Sequence, residues 1–148
     1  MSSHPVCFGA SGNKYGSFNL PYGGDIAAIK LLHLSGYVTC DISKFSYWSY
    51  WGCGKRPGVE DYAGVVITTS LNAIITPESP FLKNNPQGKF SELPPYKSFS
   101  PEIILPRLSP YTATSGEELR LWYGEDLMNY RESDNGGLVC CDVYALYV

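Results

Sequence analysis

Residues 116–148 read GEELRLWYGEDLMNYRESDNGGLVCCDVYALYV, and the alternation in this stretch decides the fold class. Leu119, Leu121 and Tyr123 recur at every second position, as expected for one face of a strand. A second strand after residue 137 also alternates, and one of its faces carries Val139, Cys141, Val143, Ala145 and Tyr147. We therefore predict two strands that flank an acidic loop, residues 124–137, and we interpret the pair as a terminal hairpin.

The composition extends this β character to the whole chain. The 148 residues include 15 Gly, 11 Pro and 12 Tyr, and only 17% are charged. Frequent turn formers and aromatic residues are typical of all-β domains with many short strands. We predict an all-β, antiparallel β-sandwich of jelly-roll-like type, with residues 1–148 forming a single domain.

Charge and hydropathy exclude several classes of partner. The net charge is −3 and the isoelectric point is about 5.3, so no basic field attracts nucleic acid or anionic lipid. No apolar run approaches the roughly 20 residues that span a bilayer, so we expect no membrane insertion. Residues 1–16 carry no apolar core of a secretory signal. Either the protein is not exported by that route, or the numbering begins on a processed chain.

Further strands are predicted over residues 16–20, 25–40, 63–70, 72–76 and 102–108. A helix over residues 25–34 with Asp25 as N-cap is the alternative, but alternation favours strands, broken at Gly36. His33 is interpreted as a structural strand residue. Residues 77–101 are rich in proline and are predicted to form a long surface loop. Pro106 places the strand over 102–108 at a sheet edge or ends it, and residues 110–115 form a turn.

Five cysteines leave two interpretations open. Cys140 and Cys141 are adjacent on a strand, so their side chains point to opposite faces and do not serve one tetrahedral metal. Either the cysteines are buried free thiols, or the protein is extracellular and Cys40 or Cys53 bridges to the last strand. In the second case Cys7 is the natural candidate for a free or intermolecular cysteine.

Residues 45–54, FSYWSYWGCG, form an aromatic block. Aromatic side chains favour strands and release much free energy on burial, so core packing is the first interpretation. A sugar platform or an oligomer interface is the second, because Trp and Tyr present flat apolar faces with a polar edge.

Seven of the 14 acidic residues lie between residues 117 and 142. Carboxylates held close together repel, and a hard cation removes that penalty. Calcium takes roughly 6–8 oxygens from carboxylates, amides, backbone carbonyls and water. The candidate ligands are Asp126, Glu132, Asp134, Asn135 and Asp142. The spacing is not that of an EF-hand, so a polar loop without an ion remains the alternative.

An incompletely coordinated calcium ion accepts two vicinal sugar hydroxyls while neighbouring carboxylates and amides bond the same groups. Aromatic rings then cover the C–H face of the sugar. Trp122 and Tyr130 are expected to be exposed for that purpose, whereas Tyr123 is expected in the core. The candidate carbohydrate-binding residues are Glu125, Asp126, Trp122, Tyr130, Asp134 and Asn135.

Three strings in this region carry a family resemblance: WYGEDL at residues 122–127, ESDNGG at 132–137 and CDVYA at 141–145. The last 33 residues resemble the calcium-dependent, galactose-specific lectins of sea anemones, which are cnidarian extracellular proteins. The resemblance implies a secreted β-sandwich lectin that acts as a homodimer. It also implies binding of galactose-terminated glycans, with terminal β-linked galactose held through Ca²⁺.

Two other functions compete with the lectin interpretation. A glycosidase needs two carboxylates across a cleft, but the candidates crowd one loop. Nucleophile-elbow and zinc-protease motifs are absent from the sequence, so we expect no enzyme. An extracellular matrix protein whose calcium only stabilises the terminal hairpin is the second alternative.

Overall fold

Nine strands form two antiparallel sheets in residues 1–82 and 88–148, the part of the chain that this computed structural model describes. They are β1 (Val6–Gly9), β2 (Gly16–Asn19), β3 (Gly24–Thr39), β4 (Trp48–Ser49), β5 (Val65–Thr69), β6 (Ile74–Thr76), β7 (Glu102–Ala113), β8 (Glu118–Tyr123) and β9 (Gly136–Tyr147). The helical segments are α1 (Gly124–Leu127) and 3-10 turns at Phe45–Tyr47, Ser79–Phe81 and Glu132–Asp134. None of these segments is long and apolar enough to cross a membrane.

The two sheets enclose one apolar core. The five-stranded sheet has the order β1-β9-β3-β4, and β7 also pairs with β3; the four-stranded sheet has the order β2-β8-β5-β6. Leu119, Leu121 and Tyr123 of β8 are fully buried, as their alternation predicts. Val139 and Val143 enter the same core from the opposite sheet. The antiparallel β-sandwich predicted from the sequence is confirmed.

The predicted terminal hairpin is wrong. β8 pairs with β2 and β5, whereas β9 pairs with β1 and β3. The two strands therefore lie in different sheets, and the acidic loop crosses from one sheet to the other. Both strands have an apolar face, and a sandwich buries two such faces by placing them opposite each other.

β3 is one continuous strand of 16 residues, so the strand interpretation of residues 25–40 is confirmed over the helix. Gly36 does not break it. The strand instead carries a register shift between His33 and Ser35, and Gly36 follows with φ +85°. A Cβ on Gly36 would overlap the Leu138 carbonyl oxygen of β9, so only glycine lets the two backbones pair here.

β7 runs through both Pro106 and Pro110 to Ala113, so Pro106 does not end the strand and the predicted turn over residues 110–115 begins only after Ala113. The other alternative is confirmed, because β7 pairs with β3 alone among the described strands and therefore lies at a sheet edge. Pro106 pairs with Ala28 beside a register shift in β3. A bulge leaves a residue without its ladder hydrogen bond, which suits proline because it has no N–H.

Residues 77–101 form no regular sheet strand among those described, as predicted, but they are not wholly at the surface. Phe90 and Leu93 are buried in the core, and Ser91 forms isolated bridges with Ala63 and Leu82. The part of the prediction that falls on residues 83–87 lies outside the described residues.

The structure contains two disulfides. One joins two strands of the five-stranded sheet, and the other joins the residue after β3 to the loop after β4. Cys7 of β1 bonds Cys140 of β9, and Cys40 bonds Cys53. Both sequence interpretations are corrected, because Cys40 and Cys53 pair with each other and Cys7 is not free. Cys141 is the free, buried cysteine. Its β9 neighbour Cys140 faces away from the core, where Cys7 lies directly opposite.

Part of the aromatic block, residues 45–54, packs in the core, and part of it lies at the surface. Trp51 is fully buried, and its indole N–H donates to the Ser100 carbonyl at 2.8 Å, as core packing requires. Phe45 is 94% exposed. His33 is structural in this arrangement: its ring stacks on Tyr50 at 3.6 Å and its Nε2 lies 2.8 Å from the Gly36 carbonyl oxygen.

Candidate functional site

The acidic loop turns tightly at one end of the sandwich. It begins with the single turn α1, where a Cβ on Gly124 would overlap the Gly88 carbonyl oxygen. Asn129 and Arg131 then adopt left-handed φ angles of 50° and 51°. A 3-10 turn at Glu132–Asp134 leads into β9. These turns fold the acidic side chains back over a short stretch of backbone.

Asp126 anchors the loop to the connection between β1 and β2. Its carboxylate is fully buried and accepts hydrogen bonds from the backbone N–H groups of Asn13 at 2.9 Å and Lys14 at 2.8 Å. Left-handed φ angles of 82° at Gly12 and 59° at Asn13 aim these donors inward. Consecutive N–H groups in such turns form concavities that bind carboxylate oxygens, so the backbone of this connection fixes the position of the Asp126 side chain.

Glu132 lies beside Asp126 and shares a hydrogen bond with it. The Gly12 N–H also donates to Glu132 Oε1 at 3.4 Å. Partial burial and then the Asp126 carboxylate raise the pKa of Glu132, because a neighbouring negative charge disfavours ionisation. The pair is therefore a place where a proton or a cation is stabilising.

Three other side-chain oxygens of the loop are buried without a hydrogen-bond partner among the described residues: Glu125 Oε1, Asp134 Oδ1 and Asn135 Oδ1. Glu125 is only 4% exposed. Burial raises its pKa to about 7, the Asn135 side chain opposes that rise with a hydrogen bond, and the Asp134 charge adds to it. Buried polar atoms are normally paired, so these three oxygens mark the part of the loop where a water molecule, an ion or a polar ligand would find acceptors.

A small cavity is lined by the charged side chains of Glu125, Asp134, Arg56 and Arg131, and its apolar lining includes Val59 and Phe90. Its volume of about 20 Å³ has room for about one water molecule or one ion. Both guanidinium charges lower the pKa of Glu125, but less than burial raises it. Arg56 is also committed to Asp41, which lies 3.3 Å from its Nε.

The donor set fits calcium in type but is small. Within residues 1–82 and 88–148, no group of three or more His, Cys, Asp or Glu side chains is arranged to hold a metal ion. Glu125 and Asp134 supply two carboxylates, however, and Asn135 supplies an amide oxygen. Calcium accepts amide oxygens and completes its shell with water, so the three orphaned oxygens fit it as a partial ligand set.

Comparison with solved structures relates the whole chain to one protein. The structure of AJLec from the sea anemone Anthopleura japonica superposes with a TM-score of 0.91 and 37% sequence identity, over 100% of this chain and 95% of that one. The chain belongs to the family of AJLec, a sea anemone lectin. No protein-family model matches it, and a search of curated proteins found no match.

The structure of the present chain separates Asp142 from the other predicted calcium ligands. Asp142 lies opposite Leu32 within the five-stranded sheet, six residues along β9 from Gly136. At about 3.3 Å per residue this displacement is about 20 Å. The sequence places Asp142 near the loop, but β9 extends away from it, so it cannot share an ion with Asp134.

Trp122 was predicted to be exposed, and the structure of the present chain buries it. It is 3% exposed, on the outer face of the four-stranded sheet, and the Tyr15 ring covers it at a centroid distance of 4.8 Å. Trp122 therefore presents no free face to a sugar. Tyr130 does remain partly exposed beside the site, and its N–H donates to the Glu125 carbonyl at 2.9 Å.

Two parts of the candidate site were not predicted from the sequence. The backbone donors of Asn13 and Lys14 hold Asp126, and the turn sequence SGNK at residues 11–14 is the signal that was available. Arg56 lines the cavity from a turn after Cys53. No pattern around Arg56 indicates that role, because its approach depends on how distant loops pack.

Proposed function

We propose that this chain is a non-enzymatic lectin that binds terminal β-linked galactose through a calcium ion in the acidic loop. Glu125, Asp134 and Asn135 would hold the ion, with Asp126 and Glu132 beside it. The observation that carries this proposal is the convergence of three buried, unpartnered oxygens in a chain 37% identical to AJLec.

Some residues of the acidic loop would position it, and others would contact the ion or the sugar. Bound calcium would supply positive charge and open coordination positions for two vicinal sugar hydroxyls. Asp126, fixed by two backbone N–H groups, would keep the loop from collapsing when the oxygens of Glu125 and Asp134 turn toward a ligand. Tyr130 is the partly exposed ring of the loop, and we assign it to the C–H face of the sugar.

Assembly and location belong to the same proposal. A single monosaccharide site binds its sugar weakly, so cell agglutination requires two sites in one particle, and a homodimer would provide them. The two disulfides support an extracellular protein, because such bonds persist in oxidising compartments. The relation to a lectin supports binding without catalysis, so no hydrolysis of an aryl galactoside is expected.

A structural role for the same ion is the second candidate. Asp126 and Asn135 both bond the backbone of residues 10–14, at 2.8–2.9 Å. Calcium at this point would link the connection between β1 and β2 to the acidic loop between β8 and β9. This candidate predicts stabilisation by calcium without any response to sugar.

Calorimetry separates the two candidates. Galactose is titrated into the protein with calcium and after EDTA treatment, using wild type, Asp134→Asn and the matched control Asp142→Asn. The lectin proposal expects binding with calcium only, loss of binding in Asp134→Asn and normal binding in Asp142→Asn. A rise in melting temperature with calcium, without heat from galactose, would leave the structural candidate.

A further inference from the structure

A second surface feature lies next to the acidic loop. A groove of about 570 Å³ opens beside the five-stranded sheet; we call it the aromatic groove, and it is lined by Tyr37, Phe45, Ser46, Trp48 and Phe99. Phe45 is 94% exposed, Tyr37 51% and Phe99 49%. Its volume falls in the range of small-molecule sites, about 300–1,000 Å³.

The aromatic groove is braced from beneath by Tyr50. Its ring lies 5.6 Å from the Tyr37 ring and 4.9 Å from the Phe99 ring, and it stacks on His33. Tyr37 and Phe99 also contact each other edge to face at 6.3 Å. These contacts hold two walls of the groove in place, and a preorganised wall loses little conformational entropy on binding.

The groove is continuous with the acidic loop through Trp48. A Cβ on Gly136 would lie 3.3 Å from Trp48 Cη2, and one on Gly137 would lie 2.8 Å from Trp48 Cζ3. The indole therefore rests against the two glycines that follow Asn135. The Ile42 N–H, three residues before Phe45, donates to the Asp134 carbonyl at 2.9 Å. These contacts place the Trp48 side of the groove beside the backbone of residues 134–137, where the acidic loop ends.

The lining indicates the chemistry of that unit. None of the five lining residues is charged, so a neutral ligand is favoured over an anionic one. Aromatic faces suit the C–H faces of pyranose rings, and the hydroxyls of Tyr37 and Ser46 are available in type for sugar hydroxyls.

We propose that the aromatic groove binds the inner residues of a neutral oligosaccharide whose terminal galactose occupies the acidic loop. This inference rests on the proposed lectin function and deepens it. The protein would then select extended glycans over free galactose, with the acidic loop reading the terminal residue and the groove adding affinity for the rest of the chain.

The test compares free galactose with a linear neutral tetrasaccharide that ends in β-linked galactose, by calorimetry with calcium. Wild type should bind the tetrasaccharide at least about tenfold more tightly. Phe45→Ser and Phe99→Ala should reduce that ratio to within about twofold while galactose affinity is unchanged. Leu71→Ser is the matched control, since Leu71 is 89% exposed and lies on a turn of the other sheet. It should leave both affinities unchanged.

Three outcomes would overturn the inference. Equal affinity of wild type for galactose and the tetrasaccharide would remove the groove from glycan binding and leave the lectin proposal intact. Unchanged tetrasaccharide affinity in Phe45→Ser, with the particle mass halved in sedimentation, would make the groove a contact between two copies of the chain. Failure of wild type to bind either sugar would overturn the lectin function and the groove assignment together.

Discussion

The side-chain amide of Asn135 donates a hydrogen bond to the Ala10 carbonyl at 2.9 Å, across 125 residues of sequence. Asn135 ends the acidic loop and Ala10 follows β1, so this contact fixes the loop against the opposite end of the chain. The oxygen of the same amide has no hydrogen-bond partner among the residues that the structure describes. One residue therefore both positions the loop and presents a free acceptor.

Asn135→Ala is expected to destabilise the calcium-free protein by about 1–3 kcal/mol, because the Ala10 carbonyl loses its donor in a part-buried site. Urea unfolding in EDTA measures the change. Ser133→Ala, at an exposed position of the same loop, should be near neutral. Equal stability of the two variants would contradict a structural role for the contact.

Gly36→Ala should be among the most destabilising substitutions in β3. The added Cβ overlaps the Leu138 carbonyl oxygen and also faces φ +85°, so we expect a loss above about 3 kcal/mol. Gly116→Ala is the matched control, with φ +79° and nothing within 4 Å of the new Cβ. It should lose only about 1–2 kcal/mol. Chemical denaturation of both variants separates steric overlap from backbone strain.

Removal of the two disulfides should have unequal effects. Cys7–Cys140 closes a sequence separation of 133 residues, and Cys40–Cys53 closes one of 13. Chain entropy of the unfolded state assigns them about 5 and about 3 kcal/mol respectively. Paired Cys→Ser variants compared by guanidinium unfolding should show the larger loss for the Cys7–Cys140 pair. The reverse order would contradict the entropic account.

Cys141 should be inert in the folded protein. Burial raises the pKa of its thiol to about 12, and the side chain is fully buried between the sheets. The thiolate is the reactive form, so iodoacetamide at pH 8 should label no residue of the native, oxidised protein. One equivalent should be incorporated after unfolding in urea without reductant. Labelling of native protein would indicate local opening of β9.

Glu117 should make part of the stability pH-dependent. Partial burial would raise its pKa, but hydrogen bonds from Tyr111 at 2.5 Å and from Thr114 outweigh that effect, so the folded pKa is lowered. A lowered folded pKa means that its stabilisation is present above the unfolded value of 4.5 and is lost as the pH falls through the folded value. The stability difference between wild type and Glu117→Gln should therefore shrink between pH 5 and about pH 2. A constant difference would refute the linkage.

Local periodicity was sufficient to identify most strands. Leu119, Leu121 and Tyr123 alternate because one face of β8 is buried, and that pattern can be read without knowledge of the partner strand. The partner itself is not encoded locally, which is why β8 and β9 were assigned to one hairpin. Sheet membership depends on contacts with β2 and β1, which are about 100 residues or more away in sequence.

The candidate site was predictable in its location and less so in its members. Loop acidity directs attention to Asp134 and Asn135, since charge density is visible in sequence, and the structure places both beside Glu125 in the candidate site. Asp142 was included by proximity in sequence, but an extended strand carries it away. Trp122 was expected to be exposed because its strand neighbours on the other face are apolar, and only the fold reveals that Tyr15 covers it.

The Cys7–Cys140 bond has a consequence for chain topology. Together with the backbone it makes residues 7–140 a covalent ring. A single proteolytic cut within that ring would release no fragment until the disulfide is reduced.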